Sequence, residues 1–399
     1  MVKLDPVTSE RSLLILLAGV VMLAPFSIDA YLPALGMIAQ DLAASEAMVQ
    51  YSIGSFLLGT ALGPLFAGPI SDAIGRRPVL IAGLIGFCAF SVACAVAQNA
   101  ETLVVFRFCQ ALSGSATLVA GRALMADLWQ GDKLSQKQSV IMVFMVIAPM
   151  IAPVLGGWVS VSFGWRYIFW ALAVAAVGAV LVSGLRLPET LAVAQRNVLT
   201  FGQVLQGYWG VMQNPVALMY ILATSFMSAV FFVYVAATPF LYIETYGLSV
   251  PEYGWMFAGG ALLAGLSNFA NFFIVGRIGY RTTLVWQGML VMAFGTVLFC
   301  ETFGLFGRWA IYGAGLMMMP MLHLIGNNAL TGLMDQFETR KGTASAFAIS
   351  VRFAFGFLAV AVVGAFQGSI ETRYGLILFV FAALAGICAQ MAVRWDRSR

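Results

Sequence analysis

The residues best suited to chemistry in this sequence are a few charged side chains inside long apolar runs. Asp29 is the only acidic residue in the first run, within the stretch PFSIDAYLPAL (25–35). Arg107 and Arg352 lie inside later runs. An ionisable group in a membrane-spanning run costs about 3 kcal/mol on insertion scales, and it often marks a substrate, ion or proton pathway. These three positions are therefore candidates for function.

Asp29 and Arg107 are predicted to lie at similar depths. Asp29 is about seven residues, or roughly 10 Å, from the outer end of the first predicted helix, and Arg107 is about five residues, or roughly 8 Å, from the outer end of the fourth. Gln110 lies on the same face as Arg107, one turn deeper. A carboxyl group that is alternately protonated and paired with an arginine can couple proton binding to another event. The alternative is a static salt bridge between two helices.

Arg352 is expected near the midplane of the eleventh predicted helix. It contacts polar or anionic substrate atoms, or it bonds internally to the face of the tenth helix that carries His323 and Asn327; both interpretations stay open. We interpret His323, the single histidine of the chain, as a packing residue. Side chains that combine polarity with an expected inward face complete the candidate substrate contacts, which are Tyr31, Gln110, Tyr234, Asn327 and Arg352.

Composition shows what must position these residues. The chain has 399 residues, of which 61% are hydrophobic and only 10% are charged. Several continuously apolar runs exceed the roughly 20 residues that cross a bilayer as a helix. We predict an all-α integral membrane protein with twelve spans, near 13–36, 47–70, 79–97, 102–125, 138–161, 166–187, 216–240, 254–275, 284–303, 309–333, 343–366 and 373–393.

The distribution of basic residues predicts the orientation. If the N-terminus is cytoplasmic, all but five of the 21 Lys and Arg residues fall on that side, as the positive-inside rule requires. The five exceptions are Arg166, Arg308 and Arg373, which face outward, and Arg107 and Arg352, which lie within helices. Both termini are therefore predicted to be cytoplasmic.

The longest interruption between spans divides the helices into six and six. It predicts an N-terminal half at 1–190, a cytoplasmic linker at 191–214 and a C-terminal half at 215–399. DAIGRR (72–77) follows the second helix and GRIGYR (276–281) follows the eighth, an offset of about half the chain. Two similar halves around a central site are typical of secondary transporters.

Other function classes find little support in the sequence. The five cysteines are scattered through apolar runs without a CxxC pair, and one histidine argues against a histidine-based metal site. No GxxxxGK[ST] motif indicates direct use of ATP. A membrane-embedded enzyme or sensor would need a nucleophile–base set, a metal cluster or a soluble domain. We expect neither an enzyme nor a nucleic-acid-binding protein.

Four segments resemble motifs of the major facilitator superfamily. GPISDAIGRRPVL (68–80) resembles motif A and FRFCQALSGSA (106–116) resembles motif B, with Ala111 where glycine is usual. APMIAPVLGG (148–157) resembles motif C of the antiporter branch, and LPET (187–190) fits its twelve-helix drug:proton antiporters. The stretches SIDAYLPAL, WRYIFWALA, TPFLYIE and GTASAF further resemble the Bcr/CflA drug-resistance subfamily.

The resemblance implies a conformational switch as well as a fold. Arg76 of motif A is expected to reach Asp127, in a joint that holds the inner side shut and breaks as it opens. Gly68 is expected to allow close helix approach. Pro149 and Pro153 are expected to loosen the fifth helix, since each lacks an N–H. The predicted switch residues are Gly68, Asp72, Gly75, Arg76, Asp127, Pro149, Pro153, Gly156 and Gly157.

The function implied by the resemblance is secondary active export of small drugs in exchange for protons, by alternating access. Phenicol, bicyclomycin or sulfonamide-like compounds are the implied substrates. The alternative is a proton-coupled or facilitative transporter of a small metabolite, although that class is not expected to carry APxxAPxxGG. The expected setting is the lipid bilayer of the bacterial inner membrane. A monomer is expected, with no cofactor beyond the proton gradient.

Overall fold

A computed structural model describes residues 10–193, 196, 201–337, 341–366 and 370–397. These residues form fourteen α-helices. The helices are α1 (Glu10–Asp29), α2 (Leu35–Asp41), α3 (Glu46–Ile74), α4 (Arg76–Ala95), α5 (Ala100–Leu128), α6 (Gly131–Phe163), α7 (Arg166–Arg186), α8 (Phe201–Met212), α9 (Pro215–Pro239), α10 (Val250–Ile278), α11 (Tyr280–Glu301), α12 (Arg308–Asp335), α13 (Lys341–Ala365) and α14 (Ile370–Arg397).

Twelve helical segments of the described chain are long and apolar enough to cross a membrane, which confirms the predicted number of spans. Two of these spans are interrupted. The first contains α1, a 3-10 turn at Leu32–Ala34 and α2. The seventh contains α9 and a π-helical turn at Phe240–Thr245. The remaining spans are single helices, so α5 is the fourth span, α6 the fifth and α13 the eleventh.

The helices begin and end at residues suited to those positions. The Asn99 side chain accepts a hydrogen bond from the Thr102 amide at the start of α5, and the side chains of Ser249 and Glu252 form a capping box at the start of α10. Gly75 (φ +115°) joins α3 to α4, and Gly279 (φ +77°) joins α10 to α11. Glycine is favoured at both turns because other residues rarely adopt positive φ.

The chain divides into two compact units. Unit 1 comprises Met1–Ala44 and Ser55–Val204, and unit 2 comprises Ser45–Gly54 and Leu205–Arg399. The first turns of α3 therefore group with the C-terminal helices, and within unit 2 the Gln50 amide donates a hydrogen bond to the carbonyl of Ala236 at 3.3 Å. The boundary at Val204 and Leu205 falls inside the predicted linker.

A helix that the sequence reasoning missed lies in that linker. Helix α8 has only twelve residues, so its pattern is too short for a span. Its buried face carries Tyr208, whose ring lies 4.9 Å from that of Phe347. Leu205 and Trp209 in the same helix are exposed. The linker is thus anchored to unit 2 through one apolar face.

Helix α3 packs closely against α5 through glycines, but Gly68 is not one of them. A Cβ at Gly59 would lie 2.5 Å from the Phe108 carbonyl oxygen, and a Cβ at Gly63 would overlap Ser115. A Cβ at Gly68 would meet no atom within 4 Å. The expectation that Gly68 permits close approach is therefore wrong for this structure. Five residues separate Gly68 from Gly63, which turns it by about 140° from the packed face.

This difference predicts opposite effects of the same substitution. Gly59→Ala is expected to lower the free energy of unfolding by about 1–3 kcal/mol, because the new methyl group meets backbone that cannot move aside. Gly68→Ala in the same helix brings the same gain in helix propensity, and its methyl group meets open space. It is therefore expected to leave the free energy of unfolding unchanged or to raise it slightly. The melting temperatures of the two purified variants test this, and equal values would contradict the packing described for α3.

Candidate functional site

The first span is interrupted at Asp29, the only acidic residue in the interior of that span. Helix α1 contains Pro25 and ends at Asp29. Ala30 N–H still donates to the Phe26 carbonyl, four residues back, but Tyr31 N–H donates to the Ile28 carbonyl, only three residues back. The 3-10 turn Leu32–Ala34 follows, with Pro33 inside it. Asp29 is therefore a buried carboxyl group, 8% exposed, at a joint in the span.

Arg107 of α5 is enclosed beside this joint. Its side chain is fully buried, and one terminal nitrogen donates to Ser27 Oγ at 2.7 Å and to Gln110 Oε1 at 2.8 Å. The guanidinium also lies over the rings of three aromatic residues, at 4.3–5.6 Å from their centroids, which are Tyr31, Phe56 and Phe169. Its Nε and other terminal nitrogen have no partner among the described residues. Polar and aromatic contacts thus replace a counter-ion.

The predicted ion pair between Asp29 and Arg107 is not formed within the described structure. Arg107 instead contacts Ser27 and Tyr31, which flank Asp29 by two residues on each side. Two residues turn a helix by about 200°, so Asp29 lies on the face away from Arg107. The prediction compared the depths of Asp29 and Arg107 along the membrane normal, but it did not consider which face of its helix each residue occupies.

The motif C glycine packs directly against the joint. A Cβ at Gly156 of α6 would overlap the carbonyl group of Ala30, the residue after Asp29. Gly157 is also buried, and its carbonyl accepts a hydrogen bond from Ser160 Oγ at 2.9 Å. Pro149 and Pro153 lie inside α6, which continues through both. Motif C therefore supplies the surface on which the broken first span rests.

Motif A forms a charged cluster at the turn between α3 and α4. The Arg76 guanidinium pairs with Asp72, donates from Nε to Asp127 Oδ2 at 3.3 Å and donates to Ser71 Oγ at 3.2 Å. The predicted contact between Arg76 and Asp127 is thus present. Thr190 Oγ1 also donates to Asp127 Oδ2, at 2.8 Å.

Glu189 of the LPET stretch completes this cluster and was missed by the sequence reasoning. Its carboxylate accepts hydrogen bonds from the amides of Arg76 at 3.0 Å and Arg77 at 3.3 Å, at the N-terminus of α4. A negative group is favourable there because the first amides of a helix have no partner within it. A Cβ at Gly75 would overlap this carboxylate. The signal was available, since LPET places an acidic residue shortly after the end of the sixth span.

The predicted substrate contacts of unit 2 do not form one cluster. Tyr234 is fully buried, with its ring 6.5 Å from that of Phe257 and its hydroxyl unpaired among the described residues. The Asn327 amide donates to Asn268 Oδ1 at 3.0 Å. Arg352 Nε is buried without a hydrogen-bond partner in the described chain, beside Gly326. A hydrogen bond from Arg352 to the face of His323 and Asn327, which was one of the two interpretations of Arg352, is absent from the described contacts.

A buried amide cluster in unit 2 was not foreseen. The Asn328 side chain donates to Asn271 Oδ1 at 3.1 Å and to Gln287 Oε1 at 2.9 Å. Gln287 in turn donates to Asn271 at 3.0 Å. These bonds join α10, α11 and α12. Each helix contributes a single amide to the triangle, so no spacing within one helix reveals it.

Comparison with known proteins identifies the family to which this helical arrangement belongs. Residues 17–360 match the sequence profile of the Major Facilitator Superfamily. The chain belongs to the major facilitator superfamily. It is also 31% identical over 390 residues, covering 96% of both chains, to the uncharacterized MFS-type transporter YdgK of Bacillus subtilis. Proteins of this family are transporters rather than enzymes, so the chain is a multi-pass membrane transporter.

Two further relatives carry drug-resistance names. The bicyclomycin resistance protein homolog of Haemophilus influenzae is 29% identical over 88% of this chain and 87% of its own. The multidrug resistance protein MdtL of Escherichia coli is 31% identical over 70% of this chain and 71% of its own. Both similarities agree with the resemblance to the Bcr/CflA subfamily seen in the motifs.

Solved structures confirm the fold. A bacterial homolog of the human lysosomal transporter Spinster matches with a TM-score of 0.79 at 14% identity, covering 98% of this chain and 99% of the other. The nucleoside transporter NupG matches with a TM-score of 0.75 at 14% identity, covering 96% of this chain and 99% of the other. The twelve spans therefore adopt the major facilitator fold.

Glu189 provides a test of the motif A cluster. Glu189→Ala is expected to lower the free energy of unfolding by about 1–2 kcal/mol, because the amides of Arg76 and Arg77 lose their shared acceptor. Glu101→Ala is the matched control, since Glu101 is an acidic residue near the N-terminus of α5, a helix that Asn99 caps instead. Thermal unfolding in detergent measures both, and the cap assignment is wrong if the two variants melt alike.

Proposed function

We propose that the protein exports small drugs from the bacterial cytoplasm in exchange for protons, by alternating access in the inner membrane. Phenicol, bicyclomycin or sulfonamide-like compounds are the proposed substrates. The drug-resistance names of two relatives support this class, as does the APxxAPxxGG pattern. The proton gradient supplies the free energy without a bound cofactor, and the monomer is the working unit.

The observation that carries the proposal is the joint at Asp29. A buried carboxyl group in an apolar span is stable when it is protonated, and it needs water or a cation when it is charged. Asp29 lies where regular helix stops, so a small rotation of the joint changes its surroundings without breaking a long helix. Protonation of one side chain can therefore bias the conformation of the first span.

Arg107 is the second component of the proposed coupling. Two of its guanidinium nitrogens are buried without a hydrogen-bond partner in the part of the chain that the structure describes, so they are available to a carboxylate that turns towards them. Ser27 and Tyr31 contact Arg107 from both sides of Asp29. Motion of the joint therefore changes the contacts of Arg107 at the same time. We assign proton binding to Asp29 and stabilisation of its charged form to Arg107.

In unit 1, the proposed drug-binding residues Gln110 and Tyr31 are residues that also contact Arg107. Gln110 accepts from Arg107 and donates to Ser91 Oγ at 2.7 Å, so its amide is oriented by the same network. Tyr31 offers a ring and a hydroxyl beside the same cation. In unit 2, the unpaired donor of Arg352 suits the acceptor oxygens of polar drugs, and Tyr234 and Asn327 add ring and amide contacts.

The motif A cluster acts as the conformational switch in this proposal. Asp72 and Asp127 share one guanidinium, and their side chains are 32% and 28% exposed. Partly exposed ion pairs contribute about 0–1 kcal/mol each, so they can break and re-form during a transport cycle. Gly75 permits the turn, and Gly156 and Gly157 with Pro149 and Pro153 shape the helix that supports the Asp29 joint.

Substitution of Asp29 tests the mechanism. Asp29→Asn imitates the protonated carboxyl group permanently, so we expect folded protein whose drug-driven proton exchange falls to the background level. The measurement is the pH change inside energised membrane vesicles on addition of each candidate drug. Full exchange by this variant would contradict the assignment.

Asp41 supplies the matched control. It is an acidic residue of the same span, but it pairs with Arg166 and accepts from Trp165 Nε1 at 3.1 Å. Asp41→Asn is expected to keep proton exchange, with a lower melting temperature. The direction of the pH change distinguishes drug export from the alternative function. A metabolite symporter carries protons and substrate in the same direction, whereas a drug:proton antiporter carries them in opposite directions.

A further inference from the structure

Unit 1 contains an apolar groove of about 460 Å³ between α1 and α7. On α1 the groove runs from Ser12 to Leu23, and on α7 it runs from Ala175 to Arg186. Each stretch contains twelve residues, so its first and last Cα atoms lie about 16 Å apart at the rise of an α-helix. The hydrocarbon core of a bilayer is about 30 Å thick, so the groove is about as long as one leaflet is thick.

The floor of the groove is made of small residues. Gly19 of α1 and Gly178 of α7 both line it, and a Cβ at either position would meet no atom within 4 Å. Ile15 and Val182 form its walls, with exposed fractions of 64% and 37%. The two helices therefore leave an open, apolar channel along their contact instead of closing on each other.

One end of the groove is basic. Arg186 lines the end that also contains Ser12, and it makes no ion pair with any carboxylate in the described chain. Arg11 is exposed next to Ser12. The opposite end, at Leu23 and Ala175, is entirely apolar. A ligand that fits has an apolar chain about one leaflet long and a negative group at one end.

We propose that this groove binds an anionic phospholipid, with one acyl chain between α1 and α7 and the phosphate on Arg186. The positive charge of Arg186 at one end of the groove complements the negative charge of the lipid phosphate. Basic groups between transmembrane helices are known to attract anionic headgroups in this way. The lipid then fills the side of α1 that leads to Asp29 six residues beyond Leu23, so its binding stabilises the first span.

Two pairs of variants separate the chain contact from the headgroup contact. Gly178→Leu fills the groove and is expected to weaken binding of phosphatidylglycerol and phosphatidylcholine alike. Gly184→Leu adds the same bulk to α7 outside the groove, where a Cβ also meets no atom within 4 Å, and is expected to change nothing. Gly19→Leu repeats the first test from α1 should Gly178→Leu fail to fold.

Arg186→Gln is expected to weaken phosphatidylglycerol binding about fivefold, as loss of one basic contact predicts, and to leave phosphatidylcholine binding unchanged. Arg277→Gln is the matched control, because Arg277 is an exposed basic residue in the last turn of α10 and does not line the groove. Inorganic phosphate at equal concentration is expected not to compete, since it lacks the acyl chain.

Native mass spectrometry of the detergent-purified full chain measures the apparent Kd of the tightest lipid adduct in each variant. Equal Kd values for Gly178→Leu and Gly184→Leu, or unchanged headgroup preference in Arg186→Gln, would overturn the proposal. Competition by inorganic phosphate would assign the end of the groove to a free anion instead. A dimer that Gly178→Leu disrupts would assign the groove to a second copy of the chain.

Discussion

A charge placed in hydrocarbon must be surrounded by polar or polarisable groups, because no water is present to solvate it. Unit 1 meets this constraint at Arg107 without a carboxylate. Two side-chain oxygens and three aromatic faces surround the guanidinium, while two of its nitrogens have no hydrogen-bond partner among the described residues. These contacts come from α1, α3, α5, α7 and the turn after α1, so the buried cation joins four helices of unit 1.

The joint in the first span is linked to the same constraint. Ser27 and Tyr31 must both face Arg107, and their spacing of four residues places them on one side of a helix. Asp29 between them then faces away from Arg107. A glycine is needed at position 156 because the Ala30 carbonyl occupies the space of a side chain. Motif B, through Arg107, and motif C, through Gly156, therefore contact the same short segment of the first span.

The span pattern was predictable from sequence because every span carries a continuous apolar run. The buried charges and the Arg76–Asp127 contact were also predictable, since depth and loop position limit their partners. The predicted pairing of Asp29 with Arg107 was wrong, because residues at the same depth can lie on different faces of their helices. Contacts among Asn271, Gln287 and Asn328 depend on three helices that are distant in sequence, so no local pattern indicates them. Helix α8 was missed because an amphipathic twelve-residue segment resembles a polar linker.

The repeated turn shows how the two halves differ in chemistry. Gly75 and Gly279 give both turns positive φ, but the side chains that follow make different contacts. In unit 2, Tyr280 donates to Asp335 at 2.7 Å and Arg281 donates to Asp396 at 2.6 Å.

Asp396 also accepts hydrogen bonds from Tyr220 and Gln336, and its side chain is only 7% exposed. Removing one partner of such a buried, multiply bonded carboxylate is costly, whereas the partly exposed pairs of Arg76 are individually weak. The Asp396 cluster therefore suits a fixed joint between α9, α11 and α14. The motif A cluster, built on the same backbone turn, suits a contact that opens and closes.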